Sequence, residues 1–473
     1  MPDRIIVPLI VACALFMENM DATVITTALP AVALDLGVDP ISLKLALTAY
    51  LLSLAVFIPI SGWMADRFGA RTIFRVAMII FTLGSAACGF AQGLNDLVLY
   101  RIVQGLGGAM MVPVGRLVIL RTVPKHELVQ ALTWLIVPAL LGPMLGPPLG
   151  GFITTYFHWR WIFWINIPIG LLGLVLATLY IENIREPKMP PLDKLGFVLS
   201  GVGLSGLAFG FTTFGQSLLS PVYSFGLLAV GAAFTYAFVR HARGIKAPLL
   251  NIRLLKLATF RASVAGGFLF RTGIGAMAFL LPLLFQIGFG LTAFQSGMLT
   301  FWGAVGAMAM RITAPPLLRH LGFKRVIVFN GLVASFFIAA PVFFTEATPH
   351  ATMAAVLLVG GFFRSLQFTS ANSLAFADLD NKQMSQATSM TSVAQQLAIA
   401  TGVAVAALAL DVTRFARGDT ALLAADFAPA FVLVGVVAMC SVFFFIGLPK
   451  DAGSALTTRE QLAETAREPD PQG

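Results

Sequence analysis

Long apolar runs, each about the length of a membrane crossing, follow one another along this chain. A helix rises about 1.5 Å per residue, so roughly 20 apolar residues cross the hydrocarbon core of a bilayer. Such runs begin near residues 5, 42, 73, 96, 129 and 160, and again near 261, 294, 325, 351, 387 and 428. Two further runs cover roughly 195 to 215 and 221 to 240. The pattern predicts fourteen transmembrane helices, arranged as 6 + 2 + 6.

The composition agrees with a membrane protein. Of 473 residues, 58% are hydrophobic and 11% are charged, a balance that soluble domains do not have. Lys and Arg are unevenly placed: 22 fall on the side that holds both termini, and four (Lys44, Arg160, Arg414 and Arg417) fall on the other. Because positive charge is retained on the cytoplasmic side, this asymmetry predicts two cytoplasmic termini. The net charge of +9 therefore indicates topology, and we expect no nucleic-acid partner.

We expect an all-α integral membrane protein with four parts. They are an N-terminal six-helix bundle (1–183), two extra helices with linkers (184–256), a C-terminal six-helix bundle (257–449) and a polar cytoplasmic tail (450–473). The two extra helices are expected to lie beside the twelve-helix core and to join its halves. The first run is longer than the apolar region of a signal peptide and holds two carboxylates, so we expect it to be retained.

Five charged residues interrupt the apolar runs. Glu18 and Asp21 lie in the first run, Arg101 in the fourth, Arg271 in the ninth and Arg364 in the twelfth. Each costs roughly 2.5 to 3.5 kcal/mol in the hydrocarbon region, which indicates a function for each. If the chain is divided into three-helix units, as in transporters built from inverted repeats, each of these runs begins a unit. The placement indicates a transporter and predicts one central cavity that contains all five charges.

Asp21 and Arg101 are predicted to lie at similar depths, and this pair admits two interpretations. It could be a structural ion pair that only positions two helices. Alternatively, the acidic residues couple transport to protons, because surroundings that alternate between wet and dry change the proton affinity of a carboxylate. In that case Glu18 or Asp21 binds and releases protons in competition with a substrate.

Four motifs occur in chain order. They are MDATVITTALP (20–30), GWMADRFGAR (62–71), LVLYRIVQGLGGAM (97–110) and a glycine pattern in the fifth run, formed by Gly142, Gly146, Pro147, Gly150 and Gly151. Together they resemble the 14-span drug:proton antiporters of the major facilitator superfamily (EmrB/QacA type), and the chain looks closest to the MdtD-like branch of multidrug transporters. Asp21 falls on the acidic position of the first motif, and Arg101 falls on the arginine position of the third.

The resemblance implies the major facilitator fold and proton-coupled efflux of lipophilic or amphipathic drugs by alternating access. Asp21 and Glu18 would carry the coupling proton, and Arg101 would tune them. The glycine pattern of the fifth run is associated with exporters rather than importers. Glu18 and Arg364 depart from the pattern of the family, and this leaves the charge of the cargo open.

The second motif implies a gating loop on the cytoplasmic side. Its members are Gly62, Asp66, Arg67, Gly69 and Arg71. Charges at helix ends can bond in one conformation and separate in the other. The matching turn of the second half keeps a glycine and basic residues (Arg319, His320, Gly322, Lys324 and Arg325) but has no acid, which predicts an asymmetric latch.

The remaining polar residues of the later runs are candidates for the substrate cavity. They are Arg271, Arg364, Gln367, Asn372, Gln395 and Gln396. The two arginines could pair across the cavity with Glu18 and Asp21, which we favour slightly, or bind an anionic group of a substrate. The amides could contact cargo, although hydrogen bonding between helices is the simpler role.

Other classes of protein fit the chain less well. No phosphate-binding loop, nucleophile motif or acidic cluster with metal-ligand spacing occurs, so we expect neither an enzyme nor a bound cofactor or metal. A dedicated exporter of an anionic metabolite or metal chelate, with Arg271 and Arg364 as anchors, stays an alternative. A non-transporting receptor is a further one. We expect a monomer in a bacterial inner membrane whose partners are a small-molecule substrate, protons and the lipid bilayer.

Overall fold

Helices account for the regular structure of the part of the chain that the structure describes. The computed structural model describes residues 3–123, 128–183, 185, 191–213, 221–245, 248–380, 383–418, 421–449 and 452–453. Within these ranges lie fourteen helices of 15 residues or more: α1 (Asp3–Leu36), α2 (Lys44–Phe68), α3 (Ala70–Gly89), α4 (Leu94–Thr122), α5 (Leu128–Tyr156), α6 (Asn166–Tyr180), α7 (Lys194–Thr213), α8 (Pro221–Gly244), α9 (Ala258–Leu283), α10 (Ala293–Leu321), α11 (Phe323–Ala339), α12 (His350–Ala375), α13 (Met384–Arg417) and α14 (Ala424–Cys440). Thirteen of them begin within about four residues of the predicted start, and α6 begins six residues after it, following a four-residue helix at Trp161–Trp164.

Twelve of these helices are long and apolar enough to cross a membrane, judged on the described residues. α5 and α10 are outside this set, so the count of fourteen spans stays a prediction. The multi-span helical architecture itself is confirmed. The predicted tail, 450–473, lies outside the described residues except for 452 and 453.

The two halves of the chain repeat one pattern of helix packing. In the first half α1 packs on α5, α2 on α4, and α3 on α4 and α6. In the second half α9 packs on α13, α10 on α12, and α11 on α12 and α14. By this correspondence α1 is equivalent to α9, and α4 is equivalent to α12. The four helices that carry the buried charges therefore occupy equivalent places in the two halves.

The two extra helices lie beside this core. α7 and α8 pack on each other along their length, and α7 also contacts α2 of the first half and α13 of the second. The surface of α8 has many exposed apolar side chains, among them Val222, Tyr223 and Phe225. In a membrane such a surface faces lipid, where exposed apolar side chains carry no penalty.

Helix α5 approaches its neighbours closely because glycines remove the side chains on two of its faces. A Cβ added to Gly142, Gly146 or Gly150 would lie between 2.0 and 2.9 Å from an atom of α1. A Cβ on Gly151 would lie 2.3 Å from the carbonyl oxygen of Ala293, at the start of α10. The fifth-helix glycine pattern is therefore a packing seam, in which small residues allow backbones to touch. It joins α1 to the second half through α5.

The polar contacts between the halves lie toward one end of the bundle. We call it the outer end, after the predicted topology; it holds residues 36–44 and 411–424. Here the fully buried Lys44 Nζ lies 3.3 Å from Asp411 Oδ2, and Arg414 contacts Asp39. Two hydrogen bonds of 3.0 Å join the halves nearby, from Gln286 Nε2 to the carbonyl oxygen of Thr27 and from Phe294 N to Thr155 Oγ1. Within the described residues, these contacts close the outer end.

Gly150→Ala tests the packing seam. The added Cβ would lie 2.4 Å from the carbonyl oxygen of Val24, which is backbone and cannot move aside, so α1 and α5 must separate. We expect the free energy of unfolding to fall by about 1 to 3 kcal/mol, the usual cost of overpacking. Thermal unfolding of the purified protein in detergent measures the change.

Gly226→Ala in α8 is the matched control, because nothing lies within 4 Å of a Cβ at that position. It should leave stability unchanged or raise it slightly, since alanine favours the helix. Equal effects of the two substitutions would contradict the seam.

Candidate functional site

Asp21 and Arg101 form a fully buried ion pair between α1 and α4. Arg101 Nη1 lies 2.5 Å from Asp21 Oδ2, and the residues are 1% and 2% exposed, respectively. Asp21 Oδ1 accepts two further hydrogen bonds, from Gln104 Nε2 at 2.8 Å and from Asn166 Nδ2 at 2.9 Å. The pairing predicted from the sequence is therefore present. Both carboxylate oxygens are occupied by donors from α4 and from the start of α6.

The ion pair belongs to a larger network that sequence reasoning missed. Asn166 Nδ2 also donates to Ser85 Oγ on α3 at 3.0 Å, and Gln104 Oε1 accepts from Arg101 at 2.7 Å. The guanidinium of Arg101 lies 4.1 Å from the ring centroid of Tyr50 on α2. Five helices of the first half thus meet around one charge pair. The sequence signal for this network was Asn166, an isolated amide in an apolar run, because a buried amide requires hydrogen-bond partners.

Glu18 lies on α1 beside this network but is bonded differently. It is 8% exposed, and its Oε2 atom is buried without a hydrogen-bond partner. The buried hydroxyl of Tyr50 also has none. The two groups converge on Gly108: a Cβ there would lie 3.2 Å from Tyr50 Oη and 3.7 Å from Glu18 Cδ. The missing side chain of Gly108 leaves room beside the carboxyl group.

Arg116 is a charged residue of α4 that the sequence survey omitted. Its side chain is exposed, and its positive charge attracts the carboxylate of Glu18. The carboxylate of Asp21 repels that of Glu18. The residue interrupts the apolar stretch MMVPVGRLVIL, so the rule that identified the other five charges applies to it equally. Arg116 therefore joins the five charges named in the sequence analysis, and Arg311 of α10 also interrupts an apolar run.

The two arginines of the second half do not pair with Glu18 or Asp21, so the favoured cross-cavity ion pairs are absent from the described contacts. Arg271 Nη2 donates to Asn372 Oδ1 at 2.5 Å, and Arg364 Nη1 lies 2.6 Å from Met277 Sδ. Each arginine thus contacts the neighbouring helix of its own half, because α9 and α12 pack directly on each other. The central cavity predicted to contain all five charges stays a prediction.

The amide candidates take different roles. Gln367 is fully buried and accepts a 3.0 Å hydrogen bond from Asn330 of α11, the interhelical role favoured for it. Asn372 binds Arg271. Gln395 and Gln396 are half-buried on α13.

The predicted gating loop connects helices of the first half in this conformation. Asp66 Oδ1 lies 2.6 Å from Arg121 Nη2 at the end of α4, and Arg71 Nη1 donates to the carbonyl oxygen of Ile181 at 3.3 Å. Gly69 has φ +98°, and a Cβ there would lie 2.1 Å from Asn183 Oδ1, so glycine is required for this turn. Gly62 and Arg67 are exposed. The side chains of Arg319 and His320, in the matching turn, lie outside the described residues; Gly322 has φ +78°.

Asp21→Ala tests the buried pair. The substitution leaves the charge of Arg101 uncompensated in an apolar interior, so we expect the free energy of unfolding to fall by about 3 to 5 kcal/mol. Thermal or denaturant unfolding in detergent measures it. Asp35→Ala is the control: it removes a partly exposed carboxylate that lies 2.7 Å from Arg160, and should cost under about 1 kcal/mol. Comparable losses in the two variants would rule out a special role for the buried pair in stability.

Solved structures share this architecture. A D-xylose-proton symporter superposes with a TM-score of 0.67 at 15% identity, covering 94% of this chain and 98% of that one. The nucleoside transporter NupG superposes with a TM-score of 0.60 at 13% identity, covering 93% of this chain and 99% of that one. The human organic anion transporter MFSD10 superposes with a TM-score of 0.59 at 15% identity, covering 94% of this chain and 100% of that one. At these identities the likeness shows the fold alone.

Sequence relatives identify the family. The Major Facilitator Superfamily pattern matches residues 11–403. The protein named "Putative multidrug resistance protein MdtD" in Escherichia coli O9:H4 (strain HS) is 34% identical over 461 residues, covering 96% of this chain and 97% of that protein, and its namesake in Shigella boydii serotype 18 has the same identity and coverage. These relatives and structural neighbours are transporters, not enzymes. The chain is a multi-span transporter that belongs to the major facilitator superfamily.

Proposed function

We propose that this protein is a proton-coupled exporter of lipophilic or amphipathic small molecules that works by alternating access. It acts as a monomer with fourteen spans arranged as 6 + 2 + 6, in a bacterial inner membrane with both termini cytoplasmic. The proton gradient drives it, without a bound cofactor. The unpartnered, buried carboxyl oxygen of Glu18 beside the closed network of Asp21 is the observation that carries the proposal.

A site that takes up a proton needs a carboxyl oxygen that can become a hydrogen-bond donor. On Asp21 both oxygens already accept N–H groups, so a proton there would displace Arg101, Gln104 or Asn166. On Glu18 one oxygen is free, and the equally unpartnered hydroxyl of Tyr50 lies within about 7 Å of its carboxyl carbon. These contacts favour Glu18 as the proton carrier in this conformation, with Asp21 and Arg101 fixing its surroundings.

Proton exchange at Glu18 requires access that changes between states. The helix that holds Glu18 is packed along the glycine seam of α5, and α5 touches the second half through Gly151 and Ala293. A movement of one half against the other therefore reaches α1 directly. Charged contacts such as that of Lys44 with Asp411 join the halves at the outer end, and in the proposed cycle they would break when that end opens.

Two observations support export as the direction and drugs as the cargo. The fifth-helix glycine pattern has the spacing associated with exporters, and each of its glycines has a packing role. The relatives that match nearly the whole chain are named for multidrug resistance. The pair of Asp66 and Arg121 would serve as the gating element, since it holds the ends of α2 and α4 together in the state with a closed outer end.

Glu18→Gln should abolish the proton movement that a transported substrate triggers. Glutamine keeps the size of the side chain and its hydrogen-bonding capacity but cannot bind and release a proton at neutral pH. The measurement is luminal pH in proteoliposomes that carry a proton gradient, recorded as lipophilic cations and organic anions are added. Glu182→Gln, a change at an acid outside the helices, is the control and should behave as wild type.

Comparison with Asp21→Asn distinguishes the two acids. If Glu18 carries the proton, Glu18→Gln loses flux and keeps its stability, whereas Asp21→Asn loses both. Wild-type proton flux in Glu18→Gln would overturn the assignment. An absence of substrate-triggered flux in wild type across the whole panel would overturn proton coupling itself.

Asp411→Asn tests alternating access. The change leaves Lys44 buried without its counter-charge in the state with a closed outer end, so the population should shift toward a state in which that end is open. Spin labels at Leu34 and Leu423, exposed positions at the outer end of the two halves, report the distance between them by electron paramagnetic resonance. We expect a longer distance in Asp411→Asn and no change in Asp96→Asn, an exposed acid at the same end. An identical distance distribution in all three proteins would contradict the role of this contact.

A further inference from the structure

The segment that joins the two extra helices to the second half is rich in basic residues and has no acid. Six Lys or Arg fall between residues 240 and 261, at the inner end of the bundle, opposite the outer end. From residue 194 to residue 345 the chain has twelve Lys or Arg and no Asp or Glu. Topology does not require this, because Lys and Arg set the orientation and acidic residues contribute little to it. The exclusion of acids therefore needs a second explanation.

Most other basic segments at the inner end include acids. The gating loop has Asp66, the segment before α7 has Glu182 and Asp193, and the segment after α12 has Asp378. Only the short turn at 319–325 is also free of acids. The positive charge of the segment between α8 and α9 is therefore not balanced along the chain.

The basic end of α8 lies on the same face as the apolar side chains that face lipid. Exposed residues recur along α8 at helical spacing, and they are Phe225, Ala229, Ala232, Tyr236, Arg240 and Arg243. Tyr236 is 64% exposed and lies one turn before Arg240. Exposed tyrosines of this kind are typical of the boundary between membrane and water. In a bilayer, Arg240 and Arg243 would therefore lie at the depth of the inner-leaflet headgroups.

The linker after α8 folds back against that helix and adds further cations. Arg253 Nη2 donates to the carbonyl oxygen of Arg243 at 3.0 Å. Arg253 and Lys256 are three residues apart in a 3₁₀ helix (Ile252–Lys256), in which side chains at i and i+3 are aligned. Both are exposed, as is Arg261 in the first turn of α9. We define the basic surface as Arg240, Arg243, Arg253, Lys256 and Arg261; the sixth cation, Lys246, lies outside the described residues.

Hydrogen bonds hold the linker in this position. Leu249 N donates to Asp193 Oδ2 at 3.2 Å, and Asn251 Nδ2 donates to Gln386 Oε1 of α13 at 2.8 Å. The other carboxylate oxygen of Asp193 lies 2.8 Å from His241 Nε2. The acid nearest to the linker is thus bonded to a histidine and to the backbone. In the described part of the chain, no member of the basic surface forms an ion pair.

We propose that the basic surface binds the headgroups of anionic phospholipids in the inner leaflet. Guanidinium and ammonium groups are suitable donors for phosphate oxygens, and clusters of basic residues beside the cytoplasmic end of a helix attract anionic lipids. The surface continues the lipid-facing stripe of α8, which favours the bilayer over a soluble anion as the partner. The bound lipid holds the linker between α8 and α9 against the membrane. This binding needs neither a proton gradient nor a cargo, so it goes beyond the proposed export function.

Lipid binding to the full-length protein in detergent tests the proposal. Native mass spectrometry counts the bound molecules of dioleoyl phosphatidylglycerol and of dioleoyl phosphatidylcholine, which have the same acyl chains and differ in net charge. We expect phosphatidylglycerol to bind at least about tenfold more tightly, because several cations act on one anionic headgroup region. Equal affinity for the two lipids would overturn the proposal.

Substitutions in α8 locate the binding. Arg240→Gln/Arg243→Gln removes two cations whose side chains form no hydrogen bond in the described structure. Each basic residue near a membrane surface contributes roughly fivefold to the affinity, so phosphatidylglycerol should bind at least about tenfold more weakly. Phosphatidylcholine affinity should not change. Arg240→Lys/Arg243→Lys keeps both charges and should keep most of the affinity.

Arg185→Gln/Arg325→Gln is the matched control, because it removes the same charge from two exposed residues elsewhere at the inner end. It should change phosphatidylglycerol affinity little. Equal losses in the control and in Arg240→Gln/Arg243→Gln would show a diffuse effect of net charge and overturn the site. Thermal unfolding verifies that each variant is folded.

The acidic tail of the chain is the competing occupant. Residues 450–473 contain five acids and lie outside the described residues, except for 452 and 453. Phosphatidylglycerol binding by the full-length protein would support the lipid as the partner. Binding that occurs only after removal of residues 454–473 would assign the basic surface to the tail and overturn the proposal.

Discussion

The ion pair of Asp21 and Arg101 is the interaction on which the organisation of the first half depends. In the apolar interior neither charge can be left alone, and each must also satisfy its remaining hydrogen-bonding atoms. Asp21 therefore accepts hydrogen bonds from donors on α4 and α6. Arg101 donates to an amide oxygen of its own helix and packs on the ring face of Tyr50 on α2. These directional requirements fix how far each helix is rotated about its axis. Apolar packing between uniformly apolar helices specifies rotation far less strictly.

Close packing supplies the second constraint. Without a hydrophobic driving force between helices in lipid, backbones must approach closely for packing to stabilise the bundle. The glycines of α5 allow this on the side of α1 and on the side of α10. Because α5 has glycines on two faces, its backbone touches both α1 and α10 with no flexible side chain between them. A movement of α10 would therefore be passed through α5 to α1. The seam thereby connects the charge network to the contacts that close the outer end.

The sequence predicted the helices well and the contacts between them only in part. Helix starts follow from apolar length, which is a local property, so thirteen of the fourteen were found within about four residues, and the start of α6 was missed by six. The pairing of Asp21 with Arg101 followed from depth, since two opposite charges at one level in an apolar bundle must meet. The pairing of Asn166 with Asp21, and of Arg271 with Asn372, could not follow, because it depends on the rotation of each helix. Helices that are apolar on all sides give no periodic signal that reveals this rotation. Arg116 was omitted even though its position inside an apolar run was a sufficient signal.

The charge balance of the two halves is unequal, and this difference bears on mechanism. In the first half the acids and Arg101 form a self-contained group, with Glu18 holding the free oxygen. In the equivalent helices of the second half, among the residues described, Arg271 contacts an amide oxygen and Arg364 a thioether sulfur, and neither forms an ion pair. A proton bound at Glu18 would remove one negative charge from the first half. An antiporter must bind the proton and its cargo at different steps of the cycle, and a change in access between the halves is a step that would separate them. The packed seam of α5 links α1, which holds Glu18, to the second half, so such a step would reach Glu18 through touching backbones.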